Sequence, residues 1–228
     1  RYSNQWGFML MLTGFYKLLF ALGVTQTFFP LALIQAVLYV FGMRAALRIA
    51  ERLSGAKGRL MTLLAAACCL PLWLAAAVLY TDTFSLPFIL MALDLAFRVR
   101  DTADVRAKCM LAARCGLAVL IGCQIKMTVL IALMAAAIVW LLTMRPGQAA
   151  ACILLSAALV GGGTALVQRY MKYEVLDPAM VEQHHTPTLH WVMMSIPTGD
   201  NPYGGATGDY GITWGMMEDG ATREEIMD

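Results

Sequence analysis

Three ionisable side chains lie within or beside long apolar runs, where a charge needs an explanation. Asp82 stands in LYTDTFSLPF, Lys126 interrupts the apolar stretch 111–142 in QIKMT, and Lys17 lies in the run 6–22. Burying a charge near hydrocarbon is costly unless another group compensates it. A carboxylate can hold or move a proton, and a lysine ammonium can bind a phosphate as a point charge. The sequence therefore offers an acid and a phosphate-binding cation.

Each of these residues also has a simpler interpretation. Asp82 can cap a helix N-terminus by accepting free backbone N–H groups. Lys126 can extend its stem to the outer headgroups, and Lys17 is more typical of an interfacial anchor than of a ligand. Asp94, near the inner end of its predicted helix, is expected to reach the cytoplasmic interface or to pair with Arg98 four residues on. Residue type and position leave both interpretations of Asp82 and Lys126 open.

The histidines and glycines late in the chain predict neither a metal site nor a nucleotide site. His184, His185 and His190 lie in a polar stretch without the HExxH spacing that places two ligands on one helix face, so solvated side chains are expected. The glycine-rich NPYGGATGDYG follows no predicted strand and opens no clear helix, so turns are expected there rather than a dinucleotide cradle.

The composition defines the environment in which these residues must be positioned. Of 228 residues, 60% are hydrophobic and 14% are charged, whereas soluble domains are about 45–50% apolar. This excess excludes a soluble globular domain and a disordered chain, and the net charge of +2 gives no reason to expect nucleic acid as a partner. The cysteines are expected to pack as small hydrophobic residues, and they are Cys68, Cys69, Cys109, Cys115, Cys123 and Cys152.

Long apolar runs predict an all-α fold, a polytopic transmembrane helix bundle of about six crossings. A membrane helix needs about 20 mostly apolar residues to cross about 30 Å of hydrocarbon. The predicted crossings are 28–50, 60–80, 84–97, 109–125, 127–144 and 150–168. The run 6–22 carries Lys17 and ends in GVTQT, which favours a helix along the outer surface, and a seventh crossing that starts inside is the alternative.

Basic residues predict which connections are cytoplasmic, because Lys and Arg accumulate on that side of short loops. The connections rich in Lys and Arg are 42–60, 98–108 and the turn at Arg145. The segments 80–83 and 124–128, and everything after about residue 169, are then expected to face outside. Asp82 and Lys126 are therefore predicted to lie on the same, outer side.

These predictions divide the chain into three segments. Residues 1–24 form an outer juxtamembrane segment, 25–169 form the helix bundle, and 170–228 form an extracytoplasmic loop segment that is incomplete at its C-terminus. The start at Arg1 without a methionine, and the polar end beyond the last apolar run, lead us to expect an internal fragment. The first apolar run lacks the basic flank and cleavage site of a signal peptide.

The order of these elements resembles the GT-C superfamily of polytopic glycosyltransferases, as in protein O-mannosyltransferases and lipid A aminoarabinose transferases. RYSNQWGFMLMLTGFYKLLFALG is similar to the end of that family's first outer loop and its juxtamembrane helix. LYTDTFSLPF resembles the outer-face aspartate motif after the third membrane helix, and LIGCQIKMTVLI resembles the lysine-bearing corner between the fifth and sixth. TPTLHWVMMSIPTGDNPYGG is similar to a later outer loop over the active site.

The resemblance implies a reaction and a set of roles. The sugar donor would be a polyprenyl-phosphate lipid, and a protein, glycan or lipid acceptor would approach from outside, in what is expected to be a bacterial plasma membrane. Asp82 would be a catalytic acid that orients the acceptor or assists a base, and Lys126 would bind the lipid phosphate. Tyr80, Gln5 and His190 would help to bind substrate. The resemblance leaves a divalent cation open as a cofactor.

The catalytic base that the resemblance implies would lie before Arg1, so the fragment is expected to be inactive alone. Two other functions stay open on sequence grounds. A transporter or lipid flippase would use the same charges in a translocation path, although no internal repeat or paired broken helix is visible. A non-catalytic membrane subunit would use the outer loop as a docking surface.

Overall fold

The structure, a computed structural model, describes residues 5–78 and 80–176, and all regular secondary structure in these ranges is helical. The predicted all-α class is confirmed for this part of the chain. The helices are α1 (Trp6–Ala21), α2 (Phe28–Cys68), α3 (Leu70–Ala77), α4 (Thr81–Asp101), α5 (Val105–Ile125), α6 (Leu130–Thr143) and α7 (Pro146–Tyr170). A 3₁₀ turn at Met127–Val129 precedes α6, and a π-helical turn at Met171–Val175 follows α7.

Three of the described helices are long and apolar enough to cross a membrane: Phe28–Cys68, Val105–Ile125 and Pro146–Val175. Two shorter apolar helices cover Trp6–Ala21 and Met127–Thr143. Many of their large apolar side chains are exposed, as expected where lipid rather than protein covers a helix.

Helix α2 is bent where its backbone leaves the helical conformation at Gly55, with φ 65° and ψ −159°. This left-handed φ carries little steric cost for glycine, which has no Cβ. The predicted loop over 42–60 is therefore wrong in extent, because residues 42–54 continue the helix. Arg48 and Arg52 consequently project from a helix rather than from a connection.

The next predicted crossing, 60–80, is also interrupted. The helix ends at Cys68, the backbone of Cys69 is non-helical (φ −85°, ψ 81°), and α3 starts at Leu70. The indole Nε1 of Trp73 donates to the carbonyl of Ala66 at 2.9 Å and bridges the break. The same carbonyl, in the last turn before the break, also accepts the backbone N–H of Cys69 at 3.2 Å.

Helix α4 packs against α2, α5 and α6 and buries polar and small side chains between them. Ala92 and Ala96 are fully buried, so neighbouring helices approach their backbone closely. The Nε1 of Trp140 donates to the Ala96 carbonyl at 3.0 Å, and the Sγ of Cys115 lies 3.4 Å from the Ala92 carbonyl. These contacts fix α4 at the centre of the helices around it.

Polar contacts define two ends of this helix group. Gln35 of α2 meets Thr83 at the start of α4, whereas Arg52 of α2 meets Asp94 further along, so the two helices run parallel. At 1.5 Å per residue, the start and end of α4 are separated by about 30 Å. We call the end near Lys126 the lysine end and the end near Arg52 the arginine end.

An apolar cluster at the lysine end joins four helices. Leu31, Phe84, Phe88 and Ile125 are buried together, and side chains of α1 pack against them. The ring centroids of Phe8 and Phe84 are 5.6 Å apart. Helix α1 therefore lies against the lysine end of α2, α4 and α5.

The described residues fall into two compact units. Residues up to Val167 belong to the first, which contains α1 to α6 and most of α7, and the described residues from Gln168 onward belong to the second. The predicted segments 1–24, 25–169 and 170–228 stay a prediction.

Candidate functional site

The side chains of Asp82 and Lys126 meet at the lysine end, although 44 residues separate them. Asp82 lies in the first turn of α4, and Lys126 directly follows α5 with an extended backbone (φ −152°, ψ 124°). The Nζ of Lys126 donates to Oδ1 of Asp82. The carboxylate side chain is 50% exposed and the lysine side chain is 30% exposed. The pair is therefore held by two helix ends but remains open to a ligand.

Tyr80 adds an aromatic surface to this pair. It is the N-cap residue of α4, and its ring centroid lies 5.8 Å from the Nζ of Lys126. An ammonium at this distance from a ring face is attracted by the ring quadrupole. The Tyr80 side chain is exposed. Asp82, Lys126 and Tyr80 are thus brought together at one end of the described helices.

The N-cap residue of α4 is Tyr80 rather than Asp82, and neighbouring hydroxyl groups make the hydrogen bonds at this helix start. The backbone N–H of Tyr80 donates to Oγ1 of Thr83 at 3.3 Å, and Oγ of Ser85 donates to the carbonyl of Asp82 at 3.1 Å. The carboxylate of Asp82 instead binds Lys126. Its place in the first helical turn is also favourable, because the helix dipole is positive there.

A buried glutamine that the sequence analysis did not single out positions the start of α4. The Nε2 of Gln35 donates to the carbonyl of Val78 at 2.9 Å and to Oγ1 of Thr83 at 3.0 Å. Oγ1 of Thr83 lies 2.7 Å from the carbonyls of Val78 and Tyr80, to either of which it can donate. The signal was present in LALIQAVLYV, where one amide stands in an apolar run and needs partners if buried.

The side-chain amide of Gln124 connects the Lys126 side of the site to α7. Gln124, two residues before Lys126, donates to Oγ1 of Thr164 at 3.2 Å. Helix α1 passes directly over it, because a Cβ built on Gly7 would lie 2.2 Å from Oε1 of Gln124. Gln5 lies one residue before α1 and is half-buried, but it makes no hydrogen bond to the ion pair among the described residues. Its predicted role in substrate binding stays a prediction.

Other predicted residues are not brought to this site. His190, together with His184, His185 and the glycine-rich stretch, lies outside the described residues. Lys17 is exposed on α1. Within residues 5–78 and 80–176, no three or more His, Cys, Asp or Glu side chains are grouped to hold a metal ion.

Asp94 differs from its expectation. Its side chain is 1% exposed and does not reach an interface, and its partners are Arg48 and Arg52 of α2 rather than Arg98. Arg48 approaches Oδ2 at 2.7 Å, and Arg52 donates to Oδ1 at 2.5 Å. The sequence prediction failed because it treated 42–60 as a loop, whereas both arginines continue the α2 helix beside α4.

The lysine-end pair and the arginine-end cluster suit different tasks. The Asp82–Lys126 pair is partly exposed, so a phosphate oxygen can approach the ammonium without first unfolding a helix. Such a pair contributes little to stability. The ion pairs of Asp94 are largely enclosed and tie α2 to α4. The lysine end is therefore the candidate functional site.

No family model matches the chain, and no curated protein or solved structure matches it either.

Proposed function

We propose that this chain belongs to a membrane glycosyltransferase that moves a sugar from a polyprenyl-phosphate lipid to an acceptor on the outer face. The observation that carries the proposal is the contact between Lys126 and Asp82, two residues of opposite charge supplied by separate helix ends. Phosphate binding needs a cation, and orientation of an acceptor hydroxyl needs a hydrogen-bond acceptor. Both groups are present, partly exposed and adjacent.

The proposed step breaks the bond between the sugar anomeric carbon and a phosphate oxygen. The electron pair of that bond stays on the phosphate, an acceptor oxygen forms the new bond to the anomeric carbon, and the acceptor proton passes to a base. Negative charge grows on the leaving phosphate, and Lys126 neutralises it. Fixed groups of this kind, in a water-poor site, contribute about a hundredfold or more to rate.

The ion pair also suggests an order of events. Without a donor lipid, the ammonium of Lys126 is neutralised by Asp82. A donor phosphate is a stronger, multidentate acceptor that competes for the same ammonium. Its arrival releases the Asp82 carboxylate to accept a hydrogen bond from the acceptor hydroxyl. Exposed Tyr80 beside the pair supplies a flat apolar surface for a sugar ring.

The proposed topology has six crossings, formed by 28–54, 56–78, α4, α5, α6 with its 3₁₀ turn, and α7, with α1 on the outer surface. The contact of Gln35 with Val78 supports the second crossing, because it returns the chain from Gly55 to the lysine end. Arginines gather at the opposite end, and by the positive-inside rule this supports the proposal that the lysine end faces outside. We propose a bacterial plasma membrane as the location.

The test is transfer of sugar from a lipid-linked donor by the full-length protein in membranes. Asp82→Asn and Lys126→Ala are each expected to lower the rate by about a hundredfold. Asp101→Asn is the matched control, since Asp101 lies on the same helix, is similarly exposed and also pairs with a cation, but at the arginine end. Unchanged transfer in both site variants would refute the site.

A charge exchange separates a chemical role from a structural one. The double variant Asp82→Lys with Lys126→Asp restores an ion pair between α4 and α5 but moves the cation to the other helix end. We expect a normal amount of folded protein without transfer activity. Recovery of activity in the exchanged protein would show that the pair only fastens the helices together.

A further inference from the structure

The arginine end carries more positive charge than its carboxylates neutralise. Among the described residues, the guanidinium groups of Arg48, Arg52 and Arg100 share two carboxylates, those of Asp94 and Asp101. Arg52 reaches both, with its Nε 3.3 Å from Asp101, and Arg100 approaches the same carboxylate at 2.8 Å. One positive charge is left over within this connected set.

Carboxylates hold Arg48 and Arg52 in place, but each of these arginines keeps N–H groups for a further ligand. Arg48 engages Asp94 through Nε and Nη2, and Arg52 engages carboxylates through Nη1 and Nε. Within residues 5–78 and 80–176, Nη1 of Arg48 and Nη2 of Arg52 donate to no protein group. The side chains are 36% and 25% exposed, so a ligand can reach them. Two such N–H donors suit an anion with tetrahedrally arranged oxygens, such as a phosphate.

Position along α2 indicates the source of that anion. Phe28 and Phe29 begin the helix as exposed aromatic side chains, and Arg48 lies 20 residues further on, which is about 30 Å at 1.5 Å per residue. This length equals the thickness of the hydrocarbon layer. Exposed Phe41 lies one to two turns before Arg48, and exposed Leu53 follows Arg52. The arginines therefore stand at the depth of phosphates, beside surface that acyl chains cover.

We propose that Arg48 and Arg52, held by the buried carboxylate of Asp94, bind the phosphate of an anionic phospholipid at the arginine end. Asp94 prevents the two guanidinium groups from turning away and separating, and their remaining N–H groups bind the headgroup. The lipid chains lie along the exposed apolar face of α2. This binding is independent of the proposed glycosyl transfer.

The experiment measures binding of phosphatidylglycerol to the full-length, delipidated protein in detergent, with phosphatidylcholine and inorganic phosphate as parallel probes. The main variant is the triple change Arg48→Gln, Arg52→Gln, Asp94→Asn, which removes one net positive charge and leaves no unpaired buried carboxylate. Arg59→Gln is the matched control, because it also removes one positive charge from α2 but pairs with Glu51 outside the cluster.

We expect the triple variant to bind phosphatidylglycerol at least about tenfold more weakly and Arg59→Gln to bind it normally. Phosphatidylcholine is expected to bind weakly to all forms. Equal loss in the triple variant and the control would overturn the proposal, since net charge alone would then explain binding. Competition by millimolar inorganic phosphate as effective as that by the lipid would overturn the assignment to a lipid.

If the triple variant does not fold, the double change Arg48→Lys with Arg52→Lys tests the same proposal. Lysine keeps the charge and the pairing with Asp94 but removes the additional N–H groups of guanidinium. Binding of phosphatidylglycerol is expected to weaken severalfold relative to Arg59→Lys. Equal affinity in these two proteins would overturn the role of the free guanidinium groups.

Discussion

Two carboxylates on one helix, Asp82 and Asp94, have opposite environments. Asp82 is half exposed in the first turn of α4, whereas Asp94 is 1% exposed and receives two guanidinium groups. A partly exposed pair contributes about 1 kcal/mol or less to stability. Breaking an enclosed pair costs far more, because an uncompensated charge is left behind. The first carboxylate is therefore suited to chemistry and the second to structure.

This contrast gives a prediction that separates activity from stability. Asp94→Asn is expected to destabilise the protein by about 1–3 kcal/mol, since Arg48 and Arg52 lose their charged hydrogen-bond partner while their own guanidinium groups stay partly exposed. Asp82→Asn is expected to change stability by about 1 kcal/mol or less while lowering the transfer rate by about a hundredfold. Thermal unfolding in detergent, read by fluorescence, measures both. A larger loss of stability in Asp82→Asn than in Asp94→Asn would contradict the assignment.

Sequence reasoning found the lysine-end pair but not what holds it. Asp82 and Lys126 could be predicted on one side because charged connections report sidedness, and sidedness does not require a contact map. Gln35 could not be joined to Thr83 in the same way, because neither residue carries charge and 48 residues separate them. Which polar groups share a buried hydrogen bond depends on helix rotation, and apolar runs do not specify it.

At the scale of elements, small residues set the distances between helices. A Cβ built on Gly116 of α5 would lie 2.9 Å from Cα of Ser156 on α7, and one on Gly42 would lie 2.9 Å from Cα of Pro87. Backbone atoms cannot rotate away as a side chain can, so larger residues would separate the helices. Ser156 also donates to the carbonyl of Ala112 at 2.9 Å, which any separation would break.

The close contact predicts that alanine destabilises the protein at Gly116, which touches another helix, but not at Gly162, where nothing lies within 4 Å. Gly116→Ala is expected to destabilise the protein by about 1–3 kcal/mol, because overpacking moves the α5 and α7 backbones apart. Gly162→Ala on α7 is the control, since nothing lies within 4 Å of its added Cβ. Alanine there is expected to be neutral or stabilising by up to about 1 kcal/mol. Equal melting temperatures for the two variants would contradict the packing argument.

Helix limits were predictable to the extent that hydrophobicity marks them. The predicted runs 127–144 and 150–168 correspond closely to α6 with its 3₁₀ turn and to α7. The breaks at Gly55 and Cys69 were not predictable, because hydrophobicity carries no information about backbone angles. The residues before and after Cys69 are equally apolar. The number of crossings therefore stays a prediction, whereas the helical class does not.

At the scale of the whole helix group, charge is divided between two ends. The lysine end holds one compensated pair, and the arginine end holds a connected set with positive charge in excess. Helix α4 runs from the lysine end to the arginine end. The side of the membrane on which each of its termini lies therefore also fixes the orientation of the helices packed against it. In the proposed topology the arginine end faces the cytoplasm, as the positive-inside rule favours.

Orientation can be tested by cysteine labelling in the full-length protein. Met127→Cys and Ala103→Cys are both at exposed positions, the first at the lysine end and the second between α4 and α5. A membrane-impermeant maleimide is expected to label the first in intact cells and the second only after permeabilisation. The unsubstituted protein reports the background from its own cysteines. Labelling of both in intact cells, or the reverse pattern, would contradict the proposed topology.

Helix α4 is absent from the three described helices that are apolar enough to cross a membrane, yet it is the one most enclosed by the others. Asp94 and the small side chains Ala92 and Ala96 are buried against the helices that pack around α4. In the proposed topology α4 is a crossing, and because α5 and α6 follow it in the chain, α4 would enter the membrane before the helices that cover it. We therefore expect α4 to stay beside α2 or the insertion machinery until α5 and α6 have been made.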